Sequence, residues 1–333
     1  MPFDWPQGFT PIPQEDWAQA QLEELARKYD TVEEHGWYDN LNPSVDQILA
    51  HHGDGDLLLD YSGGTGILTR RLLDRPGAQN MGMLIVDSSP KFLRLALEKS
   101  RHDPRVAYRI LRFIREEKRL QSLQEVLDPS IWERGVDALS STNAIHLYYG
   151  LPDTVSAWFD ILKPGGRAYI QSGNIRNPEA EEGSWIIDET VEHIHRAAID
   201  IVASDDEFKD YAQVLKDSDY MASHDALRAK YFLPVRHVDY YKQAFEGAGF
   251  EIDSLIAQTI EARVTDWYAF LSVYHEGVLG WIGGARKITG KDATEEDVLV
   301  RQRLMRLAMD RIFKGQGTFN AVWTYFQCVK PEK

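Results

Sequence analysis

Cysteine is almost absent: Cys328 is the only one in 333 residues. That excludes an intrachain disulfide and a four-thiolate metal centre, and it suits the reducing conditions of a cytoplasm. Basic residues are scarce relative to acidic ones, 37 Lys and Arg against 52 Asp and Glu, a formal net charge of −15. A surface so acidic repels phosphate backbones, so no nucleic-acid partner is expected. The one basic cluster, Arg112, Arg115, Lys118 and Arg119, is interrupted by Glu116 and Glu117 and reads as a solvated helix face. No apolar run approaches the roughly 18 residues that span a bilayer, so no membrane association is expected. Residues 1–13 carry neither the basic nor the apolar region of a secretory leader. Repeats and low-complexity stretches are missing. No H-E-x-x-H occurs, His51 and His52 are adjacent, and His193 and His195 are two apart on a predicted helix, so no metal site is expected. These absences leave a globular cytoplasmic protein; a homodimer is compatible with the sequence but does not follow from it.

What is present is a rhythm. Residues 14–30 and 42–51 read as helices, the first with Trp17, Leu22, Leu25 and Tyr29 on one face. Leu57-Leu58-Leu59 is a short apolar run ending at Asp60, as a buried parallel strand would be. Residues 67–73 (helix), 81–86 (strand), 89–99 (helix), 106–111 (strand), 114–127 (helix), 136–139 (strand running on towards Ile145), 153–162 (helix) and 167–171 (strand) follow. Pro164-Gly165-Gly166 halts the fourth of these helices. Such alternation predicts a mostly parallel sheet with helices on both faces. Residues 174–232 break it and read as a helical, acidic insertion. A helix at 237–247 and a strand at 250–257 resume it. Thr294-Glu295-Glu296-Asp297 has the form of a capping box before a helix ending at Ile312, and 321–329 closes the chain as a late antiparallel strand. The expected organisation is an N-terminal helical lid (1–54), a nucleotide-binding core (55–173), a helical cap (174–235) and a C-terminal part (236–333) that completes the sheet and an acceptor pocket.

The chemistry centres on Asp60-Tyr61-Ser62-Gly63-Gly64-Thr65-Gly66, where a strand turns into a helix. Glycine lets the backbone turn tightly and approach a ligand, and the helix start offers free N–H groups. A dinucleotide fingerprint needs a third small residue, and Thr69 stands in its place; no Gly-Lys-Ser/Thr follows, which excludes a P-loop. Asp87 ends the second strand, 21 residues after Gly66, where a carboxylate can accept hydrogen bonds from both ribose hydroxyls. On its own it reads equally well as a helix-capping aspartate.

The turn resembles motif I of class I S-adenosylmethionine-dependent methyltransferases, commonly D/E-x-G-x-G-x-G, with Ser62 in place of the first glycine. Asn143-Ala144-Ile145-His146-Leu147-Tyr148 followed by Leu162-Lys163-Pro164-Gly165-Gly166 is similar to the ubiquinone-biosynthesis-like, small-molecule branch of that family. The resemblance covers residues 28–172 and, more weakly, 235–257; residues 263–290 match nothing. It implies a Rossmann-like class I methyltransferase fold, S-adenosylmethionine as cofactor with S-adenosylhomocysteine as product, and a small-molecule acceptor methylated at O, N, S or C. It places Asp60, Ser62, Gly63, Gly64 and Gly66 at the methionine end of the cofactor. Asp87 then holds the ribose, Ser88 lies by the adenine, Thr142 and Asn143 flank the methyl group, and Tyr29 and Tyr38 lie in a closing segment. The acidic residue usual after the third strand is replaced by Arg112-Phe113.

Methyl transfer is an in-line displacement that asks mainly for alignment and exclusion of water, so no fixed triad is demanded. His146, just past the fourth strand at the carboxyl edge, is the candidate general base, with Tyr149 beside it; a structural histidine is the competing reading. Tyr148, Tyr231 and Tyr241 are candidates for the acceptor wall. RNA or protein methylation, a catalytically inactive cofactor-binding protein and a nicotinamide oxidoreductase are the alternatives.

Overall fold

The computed structural model describes residues 3–21 and 36–332. Its centre is a seven-stranded sheet of β1 (Leu57–Tyr61), β2 (Gly82–Asp87), β3 (Val106–Ile110), β4 (Val136–Thr142), β5 (Leu162–Ser172), β6 (Glu251–Arg263) and β7 (Thr318–Val329). The strand order is β6-β7-β5-β4-β1-β2-β3. Strands β1 to β5 run parallel, and β7 is antiparallel to both β5 and β6. The expected mostly parallel sheet and late antiparallel strand are therefore present.

The apolar runs of β1 and β2 are buried throughout because helices cover both faces. Alternation of side chains sorts β1 between the two: Leu57 and Leu59 pack towards α4 (Leu151–Ile161) and α7 (Val238–Ala248). Leu58 faces α1 (Leu41–Leu49), α2 (Ile67–Leu73) and α3 (Pro90–Ser100). A further core lies beyond the carboxyl edge of the sheet. It joins α5 (Glu189–Ser204), α8 (Val264–Val273) and α9 (Glu295–Ile312) to Trp323 and Tyr325 of β7 and to Tyr38, Leu41 and Ile67. Two stretches of chain supply this further core, the cap. One lies between β5 and α7 and also contains α6 (Ser218–Tyr231); the other runs between β6 and β7 and includes most of residues 263–290.

Several expectations need correction. Residues 114–127 are not one helix: Phe113–Ile114 pairs with Arg119–Leu120 as an exposed hairpin, and only Leu123–Val126 is helical. The charged run has helix-forming residues but no apolar face to bury, so propensity alone does not decide. Strand β5 begins at Leu162 and carries Pro164-Gly165-Gly166 within it, across a register shift against β4. Strand β6 runs on to Arg263, well past Ala257, because β7 pairs with it along its whole length. Residues 22–30 of the first expected helix, Tyr29 included, lie outside the described residues; Asp16–Gln19 is helical. The capping box is present, with Thr294 accepting from the Asp297 N–H and the Asp297 carboxylate returning to Thr294.

Among the described residues no helix is long and apolar enough to cross a membrane. The cap buries His195 and His224, each 3 % exposed. Burial pushes both down to about 4, reinforced by Arg228 beside His195 and Arg301 beside His224. The unfolded chain takes up these protons near 6.5 and the folded chain only near 4. The stability they confer is therefore whole above pH 6.5 and is lost as pH falls through 4. Asp60 and Asp188, raised to about 6 and about 7, act in the opposite sense. A single-site comparison separates them: His224→Leu should lose less stability than wild type between pH 7 and pH 4.5, by about 2 kcal/mol, in urea denaturation.

Candidate functional site

The strand order reverses between β1 and β4, and at such a switch point ligands bind outside the carboxyl ends of the strands. A cleft of about 290 Å³ opens there. Its floor is the β1–α2 turn, its walls the ends of β2, β3 and β4, and Tyr38 and Leu41 close one side.

The turn is built tightly. Ser62, Gly64 and Gly66 all have left-handed backbone, with φ of 58°, 57° and 75°. A Cβ on Gly63 would stand 2.8 Å from an Asp60 carboxylate oxygen, so no side chain fits there. Asp60 itself points away from the cleft. It is fully buried and accepts from Thr69 Oγ1 (2.8 Å) and Ser140 Oγ (3.0 Å), while burial raises its pKa to about 6. Asp60 therefore braces the turn from beneath. Thr69, the residue that spoils the dinucleotide fingerprint, is one of its two side-chain clamps.

Most turn amides are spent internally. Ser62 and Gly63 donate to the Val86 carbonyl, Gly66 to the Gly63 carbonyl, and Gly64 to Asp87 Oδ2 at 2.9 Å. Asp87 Oδ1 accepts from the Ser89 N–H at 2.7 Å. A carboxylate has about four acceptor sites, so Asp87 keeps acceptor capacity for a ligand. Burial raises the Asp87 pKa, and the amides of Ser89, Gly64 and Ser88 oppose that rise. Among the described residues no lysine, arginine or histidine lines the cleft, and Asp87 is its one carboxylate. Phe92, Leu111 and Leu120 give it an apolar wall beside Ser88.

Of the residues expected at the site, Tyr38, Ser62, Gly63, Gly64, Asp87, Ser88, Thr142, Asn143 and Tyr148 line this cleft. Gly66 lies behind it, where a Cβ would sit 3.2 Å from Ile85 and 3.4 Å from Ala96. Tyr148 spends its hydroxyl on Ser62 Oγ (2.7 Å) and Ser141 Oγ (2.9 Å), and its ring packs edge-on against Tyr61 and Trp158. Burial holds the phenol well above its usual pKa, so it acts as a neutral brace. His146 is half-buried in a single turn, Ile145–Leu147, with Nδ1 2.9 Å from Ser172 Oγ, and it is not among the cleft-lining residues. Burial lowers its pKa to about 4, so the ring is neutral at neutral pH.

The remaining candidates lie elsewhere. Tyr149 is 77 % exposed beyond the rim. Tyr241 is in the core between α7 and β7, against Phe326, and burial raises its pKa to about 12. Tyr231 ends α6 within the cap, covered by the Lys287 ammonium at 4.7 Å. Aromatic residues at helical spacing are ordinary core material, which accounts for the placement of Tyr241.

The sequence reading missed a polar layer behind the cleft. Asn143, at φ 54°, accepts from Trp323 Nε1 at 2.9 Å and donates to Asn40 Oδ1 at 3.4 Å. Gln171 also donates to Asn40, and Tyr325 donates to the Asn40 carbonyl at 2.7 Å. Asn40 and Gln171 are fully buried, and each keeps one polar atom, Nδ2 and Oε1, without a partner. These contacts join residues more than 100 positions apart, so no local pattern announces them. Among the described residues no group of three or more His, Cys, Asp or Glu could hold a metal.

No family model matches the chain. The hybrid PKS-NRPS synthetase apdA of Emericella nidulans is 30% identical over 147 residues, which is 44% of this chain and 4% of the synthetase. The chain thus spans a small fraction of that curated relative. Among solved structures, a provisionally assigned methyltransferase of Bacillus halodurans C-125 is 17% identical with a TM-score of 0.48, covering 87% of this chain and 98% of that one. A protein of Galdieria sulphuraria, provisionally assigned as a sarcosine dimethylglycine methyltransferase, is 12% identical with a TM-score of 0.48, covering 96% and 95%. A phosphoethanolamine N-methyltransferase 2 of Haemonchus contortus is 16% identical with a TM-score of 0.44, covering 88% and 52%. All three are distant likenesses.

Proposed function

We propose that this chain is a class I S-adenosylmethionine-dependent methyltransferase acting on a small-molecule acceptor. The observation that carries the reading is the charge and donor pattern of the cleft. A pyrophosphate needs free amides or basic side chains, yet the turn amides are largely spent on Val86, Gly63 and Asp87, and among the described residues no Lys or Arg lines the walls. An uncompensated carboxylate instead suits a ligand with hydroxyl donors and a positive charge. S-adenosylmethionine has both, in its ribose and in its sulfonium and ammonium groups.

The residues present fit that group. Asp87 would hold the ribose hydroxyls, Phe92, Leu111 and Leu120 would enclose the adenine, and the Ser62–Thr65 turn, with no room for a Cβ at Gly63, would lie against the methionine part. The cofactor supplies an activated methyl group. The chain's own contribution is alignment and exclusion of water: Tyr148 and Asp60 fix the turn, Tyr38 and Leu41 close the side, and Asn143 is locked by Trp323 and Asn40. His146, neutral and tied to Ser172, lies outside the cleft lining and is a candidate proton acceptor only for a substrate that extends past the cleft. The absence of basic residues from the cleft lining among the described residues favours a small metabolite over RNA.

Calorimetric titration with S-adenosylmethionine and S-adenosylhomocysteine, with NAD as control, tests it. Saturable binding of the sulfur ligands alone is expected. A folded protein that binds neither, or that prefers NAD, overturns the reading.

A further inference from the structure

A second cavity, about 250 Å³, lies between α5, α6 and the segment that follows α6. Phe232, Leu233, Pro234, Val235 and Val191 give it apolar walls. The wall is tied to the carboxyl end of the sheet: Asn174, two residues past β5, donates to the Leu233 carbonyl (3.4 Å), and Ile187 N–H donates to the Gly173 carbonyl. Ile187 belongs to the same core as the cleft residues Tyr38, Leu41 and Ile67. The cavity therefore lies on the side of the sheet from which an acceptor would approach.

Its charges do not balance. Four carboxylates and one cation, Arg228, line it; the carboxylates are Asp188, Glu189 and Glu192 at the start of α5 and Asp225 on α6. Glu189 pairs with Arg176, Glu192 with Arg196 and Arg228, and Asp225 with Arg228. The 232–235 segment carries no charge. Among the described residues the Asp188 carboxylate has no hydrogen-bond or ion-pair partner, and it does not cap its own helix. Burial alone, with no opposing donor or cation among the described residues, raises its pKa to about 7. A carboxylate held this way is costly to ionise until a cation arrives.

We propose that this cavity binds a small organic ammonium group, with Asp188 as its counter-ion and the Phe232–Val235 segment packing against its carbon substituents. Under the methyltransferase reading, on which this part rests, the ammonium belongs to the methyl acceptor and Asp188 determines specificity for amine-bearing substrates.

The test is binding of n-propylammonium and tetramethylammonium chloride to the full chain, with isobutyrate as the anionic control. Wild type and Asp188→Asn are compared by calorimetry in buffers of different ionisation enthalpy at pH 7. Wild type should bind at least one cation, reject isobutyrate and release protons on binding; Asp188→Asn should bind at least tenfold more weakly and release none. The variant should fold at least as well as wild type above pH 7. A group raised to about 7 contributes stability that is whole below 3.8 and is lost as pH rises through 7, and asparagine has no such loss. Carbon-13 NMR of the Asp188 carboxyl gives a second readout, in which added cation should lower its titration midpoint. Equal binding by the two proteins, no binding of either cation, or an unmoved midpoint overturns the proposal. Cation binding with no S-adenosylmethionine binding would leave the cavity's role standing and sink the methyltransferase reading; the reverse would do the opposite.

Discussion

Asp87→Ala should weaken S-adenosylmethionine binding by about a hundredfold or more, and Asp87→Asn should do nearly as badly. A hydrogen bond to a charged acceptor contributes about 1.5–3 kcal/mol, and two such bonds to ribose hydroxyls exceed the ~2.8 kcal/mol of a hundredfold change. The failure of asparagine follows from local geometry. Both Asp87 oxygens already accept a backbone N–H, from Gly64 and from Ser89. An asparagine must turn its NH2 group against one of those donors, so the isosteric change disorganises the turn as well as removing charge. Protonation of Asp87 does the same, and its raised pKa makes affinity fall as pH is lowered. Titration of both variants, with far-ultraviolet circular dichroism to show that the fold persists, checks this. A retained affinity in Asp87→Asn would show that the carboxylate charge does not touch the ligand.

The second large effect lies in the cap. Arg301 is 1 % exposed and holds together the loop after the short helix His275–Leu279. Its guanidinium donates to the carbonyls of Ile282 (2.5 and 2.8 Å), Gly284 (2.8 Å) and Gly280 (3.3 Å), and its remaining nitrogen meets His275 Nδ1 at 3.1 Å. Arg301→Ala leaves those carbonyls without donors and opens a hole, for an expected loss of about 3–5 kcal/mol in urea denaturation. Arg301→Met restores most of the volume and none of the donors, and Arg301→Lys supplies one compact ammonium that cannot span the three carbonyls. Both should recover less than half of the loss. Full recovery by methionine would show that packing, not hydrogen bonding, is what the arginine provides.

The parts legible in the sequence are those where neighbours in the chain are neighbours in space. The Leu57-Leu58-Leu59-Asp60 run, the glycine turn, Asp87 at the end of the next strand and the Thr294 capping box each carry a local signature, and each lies in the expected element. The hairpin at Phe113–Leu120 misleads because its charged residues favour helix until one asks what the helix would bury. The second half of the cap is opaque for a related reason: Trp267, Leu271 and Trp281 find partners on α9 and on α5, the latter separated from them in the chain by α6, α7 and β6. Ser140 under Asp60, Trp323 beside Asn143 and Gln171 beside Asn40 belong to the same class of contact.

The position of β7 has a bearing on how the molecule is assembled. Of the seven strands it is the last to be made, yet it sits inside the sheet, between β5 and β6. A chain grown only as far as Arg263 has all six other strands but leaves the inner side of β5 as an open edge, and β6 has no strand to join. Open edges recruit other chains, and pairings this distant in sequence are slow to form. The same strand carries Trp323 and Tyr325, which fasten Asn143 and Asn40 in the polar layer behind the cleft. Ligand affinity should therefore arise late in refolding, as a report that the final strand has been threaded home.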